Sequence, residues 1–128
     1  MLEIDIIGED LAPGAPPAAE VERLLALALA SAAVEDGHVA VQYVDAGRIA
    51  ELNAAHRGKE GPTDVLSFPV DEDADVDGPR ELGDIVICPE HTVDLREAIV
   101  HGALHLVGMD HETDAGEMLA VQAEILSW

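Results

Sequence analysis

Aromatic and basic side chains are both scarce in this sequence of 128 residues. It contains one tryptophan, one tyrosine and one phenylalanine, so aliphatic side chains and alanine must form the hydrophobic core. Six basic residues stand against 27 acidic ones, and the formal net charge of −21 repels a nucleic-acid backbone at long range. A function on nucleic acid would therefore require the acidic residues to lie away from the contact surface.

Cysteine and long apolar runs are also nearly absent. The single cysteine, Cys88, excludes an internal disulfide and favours a reducing compartment, and the three aliphatic residues before it predict that it is buried. The most apolar segment, 24–34, is too short to cross a bilayer and is flanked by charged residues. Because the first ten residues lack the basic region of a signal peptide, we expect a cytoplasmic protein without a membrane partner.

The remaining patterns predict an α/β (α+β) fold. An apolar fraction of 48% and the chain length favour one domain over residues 1–128. Alternation of apolar and polar residues predicts strands at 2–6 and 38–44, and two further strands, 65–70 and 84–88, are expected to form a hairpin. Helices are expected at about 18–34, after Asp45, at 92–107, and towards 126 after a capping box of Asp114 and Glu117. The order βαβαββαα predicts a small mixed four-stranded sheet covered by helices.

Three of the six histidines lie within HGALHLVGMDH, residues 101–111. His101 and His105 are four residues apart and would share one face of a helix. Gly108 is expected to end that helix, because glycine readily adopts the left-handed conformation of a last turn. The chain could then return and bring His111 to the other two. Three imidazoles with one open position predict a metal site for zinc, with nickel or copper as substitutes.

The same spacing occurs in the metzincin proteases, whose motif is HExxHxxGxxH. Gly102 stands where those proteases carry the glutamate that acts as general base, and glycine cannot accept a proton. A metzincin-like peptidase is therefore an alternative that needs a carboxylate from elsewhere in the chain. Histidines with no metal at all are the less favoured interpretation of this spacing.

Together with an upstream block, the histidine cluster resembles the YbeY-type bacterial endoribonucleases, which mature ribosomal RNA. The zinc motif of that family is similar to HGxLHLxGYDH and matches residues 101–111, with Met109 in place of the usual tyrosine. Asn53 and Arg57, then PTDVLSFP at 62–69 and LGDI at 82–85, match the other signatures in order. The segment 89–100 is shorter than is usual in the family, a departure that affects the rim of the cleft and no metal ligand.

The resemblance implies a single-strand-specific, zinc-dependent endoribonuclease that acts in ribosomal RNA maturation, ribosome assembly and quality control. His101, His105 and His111 would hold the metal, and either water on the metal or the neighbouring 2′-hydroxyl of the RNA would attack. Arg57 would bind the phosphate and stabilise charge in the transition state. A non-catalytic ribosome-assembly factor with a structural zinc is a further alternative. Three aspartates are candidates to orient the ligand imidazoles: Asp64, Asp84 and Asp110.

The net charge also leads to an expectation about partners. Arg57, Lys59 and the metal would form a local positive floor, with the acidic segment 71–77 directed away from it or to its rim. The substrate would be RNA of the small ribosomal subunit. Because the rest of the surface is acidic, we expect recruitment through ribosomal particles or basic ribosomal proteins.

Overall fold

The computed structural model describes residues 2–34, 36–69, 81–109 and 116–127. The predicted order βαβαββαα is confirmed within these ranges, with short 3-10 turns added at Glu9–Leu11 and Pro89–His91. The strands are β1 (Leu2–Ile7), β2 (Gly37–Tyr43), β3 (Val65–Pro69) and β4 (Glu81–Ile87), and the helices are α1 (Ala18–Ala30), α2 (Ala46–Arg57), α3 (Leu95–Leu106) and α4 (Glu117–Leu126). Among the described helices, none is long and apolar enough to span a bilayer.

The four strands form one mixed sheet in the order β1-β2-β4-β3. β1, β2 and β4 are parallel to one another, and β3 pairs antiparallel with β4, as the predicted hairpin requires. Val65, at the start of β3, therefore lies beside Ile87, at the end of β4. This pairing brings the chain that arrives from α2 next to the chain that leaves towards α3.

Helices cover the two faces of the sheet unequally. α1, α3 and α4 pack on one face and enclose the larger core, whose fully buried members include Leu24, Leu29, Ile85, Ile99 and Leu104. α2 covers part of the other face, over a smaller cluster of Ile49, Leu66, Val86 and Cys88. Aliphatic side chains thus form the core, and the predicted burial of Cys88 is confirmed.

Two predicted helix boundaries are wrong. The first helix ends at Ala30 rather than near 34, because the chain turns over residues 31–33 and Ala33 takes a left-handed φ of 60°. The third helix begins at Leu95 rather than at 92, since the Asp94 carboxylate accepts hydrogen bonds from two backbone N–H groups of its first turn. The predicted cap of α2 is confirmed, as Asp45 accepts from the backbone N–H of Arg48 at 2.8 Å. Asp114, half of the expected capping box before α4, lies outside the described residues.

Candidate active site

The C-terminal half of α3 carries two histidines whose rings converge. The Nε2 atoms of His101 and His105 are 3.1 Å apart, and the ring centroids are 4.7 Å apart. The helix ends just after them, where the N–H groups of Gly108 and Met109 donate to the carbonyl oxygens of His105 and Leu104. Gly108 has a φ of 91°, so its predicted role in ending the helix is confirmed.

α4 fixes the orientation of His101 from behind. Gln122 is 8% exposed, and its Oε1 accepts a hydrogen bond from Nδ1 of His101 at 2.8 Å. Because an amide oxygen can only accept, Nδ1 of His101 carries a proton, and Nε2 is the ring nitrogen that faces His105. Gln122 is not among the site residues predicted from the sequence. The sequence does carry a signal for Gln122, because it is spaced at helical intervals from Met118 and Ile125, which are both buried. This spacing places an amide on the apolar face of α4.

The distance between the two Nε2 atoms fits a shared metal ion. Tetrahedral zinc with Zn–N bonds of about 2.0–2.1 Å holds its ligand nitrogens roughly 3.3 Å apart, close to the 3.1 Å seen here. His111 and Asp110 lie outside the described residues, and the described ranges contain no group of three or more histidine, cysteine or acidic side chains placed to hold a metal. The structure therefore brings together two of the three predicted ligands, and the complete set stays a prediction.

The two imidazoles open into a cleft of about 940 Å³ that lies between α2, β3 and α3. Arg57 reaches the same cleft from the last turn of α2, and Lys59 reaches it from the loop that follows. Asp64 and side chains of β3 also line the cleft. The structure thus places Arg57 along one cleft with His101 and His105.

Arg57 and Lys59 differ from the other described cations, because neither makes an ion pair with another described residue. The remaining described arginines are each paired with a glutamate: Arg23 and Arg96 with Glu20, and Arg48 with Glu51. Within the described chain, the positive charge available to an anion is therefore concentrated in the cleft.

Asn53 holds the loop that carries Lys59. Its side chain is buried, and its Nδ2 donates to the carbonyl oxygen of Gly61 at 2.9 Å. The left-handed Gly58 ends α2 by donating to the carbonyl oxygen of Ala54. These contacts fold residues 58–61 back against the helix, so the two cations stay at one end of the cleft.

Two of the aspartates proposed to orient the imidazoles, Asp64 and Asp84, lie among the described residues. Asp64 lines the cleft, but its Oδ1 accepts from the N–H of Val65 at 2.9 Å and from the Thr63 hydroxyl at 3.2 Å. Asp84 lies on β4 opposite Phe68. Burial raises the pKa of the Asp84 carboxyl and nearby Glu81 raises it further, while His38 lowers it. A described contact that orients His101 comes from Gln122, and orientation of the imidazoles by the aspartates stays a prediction.

Gly102 faces the sheet and not the cleft. A Cβ at this position would lie 2.6 Å from Cγ2 of Ile85, and the carbonyl oxygen of Gly102 accepts a hydrogen bond from the Ser67 hydroxyl at 2.9 Å. Glycine is thus required by the close approach of α3 to the sheet. A glutamate here would point into this packed interface, so the position cannot supply the general base of a metzincin protease.

Similar proteins are found by family, by sequence and by fold. Residues 15–128 match the family model described as Endoribonuclease YbeY. Proteins named Endoribonuclease YbeY from Macrococcus caseolyticus and Geobacillus kaustophilus are 37% and 38% identical, over 99% and 98% of this chain and 95% of each relative. One from Rubrobacter xylanophilus is 46% identical over 70% of this chain and 66% of its own. A solution structure of a Thermotoga maritima protein is 30% identical and covers 97% of this chain and 87% of its own, with a TM-score of 0.54.

Proposed function

Because the chain belongs to the endoribonuclease YbeY family, we propose that residues 1–128 act as one metal-dependent endoribonuclease domain on single-stranded ribosomal RNA of the small subunit. The observation that carries this proposal is that one cleft is lined both by two converging imidazoles and by two cations without ion pairs to described residues. Such a cleft matches a substrate with a charged phosphate and a reaction that benefits from a metal ion. Ribosome maturation also implies the cytoplasm as the site of action.

Zinc is the metal that these residues suit best. His101, His105 and, from the resemblance, His111 would hold it, with nickel or copper as substitutes. When bound, the ion supplies a Lewis acid that polarises phosphate oxygens and lowers the pKa of water to about 7. The chain contributes the orientation of its ligands, since Gln122 keeps the Nε2 lone pair of His101 directed at the site.

Arg57 supplies the second part of the chemistry. A guanidinium binds two phosphate oxygens in a planar, bidentate arrangement, which positions the scissile phosphate and stabilises the negative charge that develops on it. No described carboxylate competes for Arg57 as an ion-pair partner, so binding a phosphate requires no existing pair to break. The attacking group, water or the adjacent 2′-hydroxyl, would then approach from the histidine side of the cleft.

We expect Arg57→Ala to lower the rate of RNA cleavage by about 10²–10³-fold, the usual effect of removing one stabilising donor from a transition state. Zinc content and melting temperature should stay close to those of the parent, because Arg57 is exposed and makes no described ion pair. The measurement is cleavage of a single-stranded oligoribonucleotide by zinc-loaded protein, with metal content determined on the same samples.

Arg48→Ala is the matched control, since Arg48 lies on the same helix, pairs with Glu51 and does not line the cleft. It should cleave at nearly the parental rate. Equal rates for Arg57→Ala and the parent would remove Arg57 from the mechanism. Zinc-saturated parent with no turnover on any RNA would favour the alternative of a non-catalytic assembly factor.

A further inference from the structure

Two rings meet on the wall of the cleft beside Arg57. His56 and Phe68 have ring centroids 4.4 Å apart and planes 65° apart, and both side chains line the cleft. The chain has only three aromatic residues. Tyr43 is 2% exposed within the larger core, and Trp128 lies outside the described residues. Phe68 is therefore the aromatic side chain that the described part of the chain presents to this cleft.

Core packing uses only part of the Phe68 ring. Phe68 packs against the smaller cluster under α2 but remains half-buried, and His56 is exposed on the last turn of that helix. With their planes 65° apart, the two rings form a corner and not a closed stack. A flat group that lies against one ring then meets the edge of the other. Nucleobases are such groups, and they stack on aromatic side chains in proteins that bind single strands.

We propose that His56 and Phe68 form a base-binding subsite, in which one unpaired nucleobase of the RNA stacks beside the phosphate bound by Arg57. The subsite rests on the proposed function, because it takes Arg57 to hold that phosphate. His56 and Arg57 are consecutive and both line the cleft, so a base and a phosphate of the same strand fall within reach together.

The geometry also selects the form of the RNA. In a duplex both faces of each base are covered by neighbouring bases, whereas an unpaired base can leave the stack and lie on an aromatic ring. Stacking is tolerant of sequence, since every base has an exposed π-face. The subsite therefore gives a preference for unpaired RNA without reading a particular base.

The test measures binding apart from cleavage. It uses zinc-loaded protein and a short single-stranded 2′-O-methyl oligonucleotide that the parent is first shown to leave intact. A second set of oligonucleotides has the same sequence with one abasic position, which lies at a different point of the strand in each member.

Phe68→Leu keeps an apolar side chain on the cluster but removes the ring. It should weaken binding of the intact oligonucleotide about tenfold. When the abasic position falls at the subsite, the affinity of the parent should drop by a similar factor. Phe68→Leu should then bind that strand no more weakly than the parent does. Phe68→Trp should restore binding of the intact strand.

Leu52→Ala is the control for packing, because Leu52 supports the same cluster from α2 but does not line the cleft. It should lower the melting temperature and leave binding unchanged. If Phe68→Leu weakens intact and abasic strands equally at every position, or weakens neither, the subsite is wrong even if the parent cleaves RNA. If binding depends on the ring and on one base, but the zinc-loaded parent cleaves no RNA, the subsite stands and the proposed function is wrong.

Discussion

Gln122 gives His101 a defined direction although it belongs to no recognisable motif. Its buried amide oxygen accepts the Nδ1 proton of His101 across the contact between α4 and α3. A metal-binding imidazole with a fixed proton on Nδ1 offers its Nε2 lone pair without first having to change tautomer. Gln122 is therefore a positioning residue for the candidate metal centre.

We expect Gln122→Met to weaken zinc binding by about 10–100-fold, the range typical for loss of a hydrogen-bond partner behind a ligating histidine. Methionine fills similar space but cannot accept the Nδ1 proton. Gln122→Glu keeps the acceptor and should bind zinc at least as tightly as the parent. The measurement is competition for zinc with a chelator of known affinity, and Met118→Leu on the same buried face serves as control. Unchanged affinity in Gln122→Met would show that the contact only packs the helices.

Some residues of the candidate site could be predicted from the sequence, and others could not. His101 and His105 follow from their i, i+4 spacing, and Arg57 follows from the resemblance of its motif. Gln122 and the pair of Phe68 with His56 do not, because each contact joins segments that are distant along the chain. Local periodicity reports which face of an element is apolar, but it does not report which residue of another element that face meets.

The packing of α3 on the sheet depends on one missing side chain. Gly102 allows the helix backbone to approach Ile85, which is fully buried and β-branched and therefore cannot move aside easily. This approach sets the height at which His101 and His105 stand above β3. Glycine has a low helical propensity, but at position 102 its lack of a side chain allows α3 to contact the sheet closely.

We expect Gly102→Ala to destabilise the fold, because the new methyl group would overlap Cγ2 of Ile85 at a cost of about 1–3 kcal/mol. Alanine favours helix by roughly 1 kcal/mol over glycine, so the observed loss is the difference between these effects. Gly47→Ala is the matched control, since Gly47 lies in α2 and a Cβ there has its nearest contact at 3.5 Å, from Asp45. It should stabilise. Urea unfolding of both variants measures the contrast, and stabilisation by Gly102→Ala would disprove the overlap.

His38 links three strands on the less covered face of the sheet. From β2 its Nδ1 lies 2.7 Å from Glu81 on β4, and its Nε2 lies 2.7 Å from Asp5 on β1. Hydrogen bonds to Glu81 and then to Asp5 raise the pKa of His38 above its ordinary value. A raised pKa in the folded state means that protonation stabilises the fold.

This contribution should be fully present below about pH 6.5, the ordinary histidine pKa, and should be lost as pH rises through the raised folded pKa. Burial raises the pKa of Asp84 as well, so that group also favours folding at lower pH. We expect His38→Gln to cost about 0.5–1 kcal/mol at pH 6 and much less at pH 9, since the acidic partners are exposed and screened by solvent. Equal costs at both pH values, from urea midpoints, would contradict the ion pairs.

Elements were predictable wherever local chemistry sets them. The alternation of β1 and β2, the Asp45 cap and the Gly108 terminus each depend on a few adjacent residues. The C-terminal end of α1 and the start of α3 were not, because apolar periodicity continues beyond both of these helix boundaries. The position of β4 between β2 and β3 also follows from tertiary packing, which the sequence order alone does not specify.

At the scale of the whole molecule, the described cations without ion pairs lie together in one cleft, although the chain as a whole is strongly acidic. The chain carries a formal charge of −21, yet the two described cations that make no ion pair with a described residue both line the cleft. The segment 71–77, predicted to turn away from the cleft, lies outside the described residues. Acidic surface around a small positive site opposes long-range attraction of RNA and permits contact only at short range.

Binding to protein-free ribosomal RNA should therefore be weak and only slightly dependent on salt. Two cations neutralise roughly two phosphates, which predicts a slope of about −1.4 for the logarithm of affinity against the logarithm of salt on a single strand. Ribosomal particles carry basic proteins that complement the acidic surface, so they should bind more tightly than bare RNA. Their affinity should also fall more steeply as the salt concentration rises. Titrations of both partners over a salt series measure this difference. Tight, steep binding to bare RNA without preference for particles would refute it.

The contact between Gln122 and His101 has a consequence for when the protein becomes competent. α4 follows every other described element along the chain, so a ribosome synthesises it after α3 and after all the strands. While α4 is still inside the ribosome, the nascent chain lacks the Gln122 oxygen that accepts the Nδ1 proton of His101. The orientation of His101 at the candidate metal centre would therefore be set only after α4 has emerged from the ribosome and packed on α3.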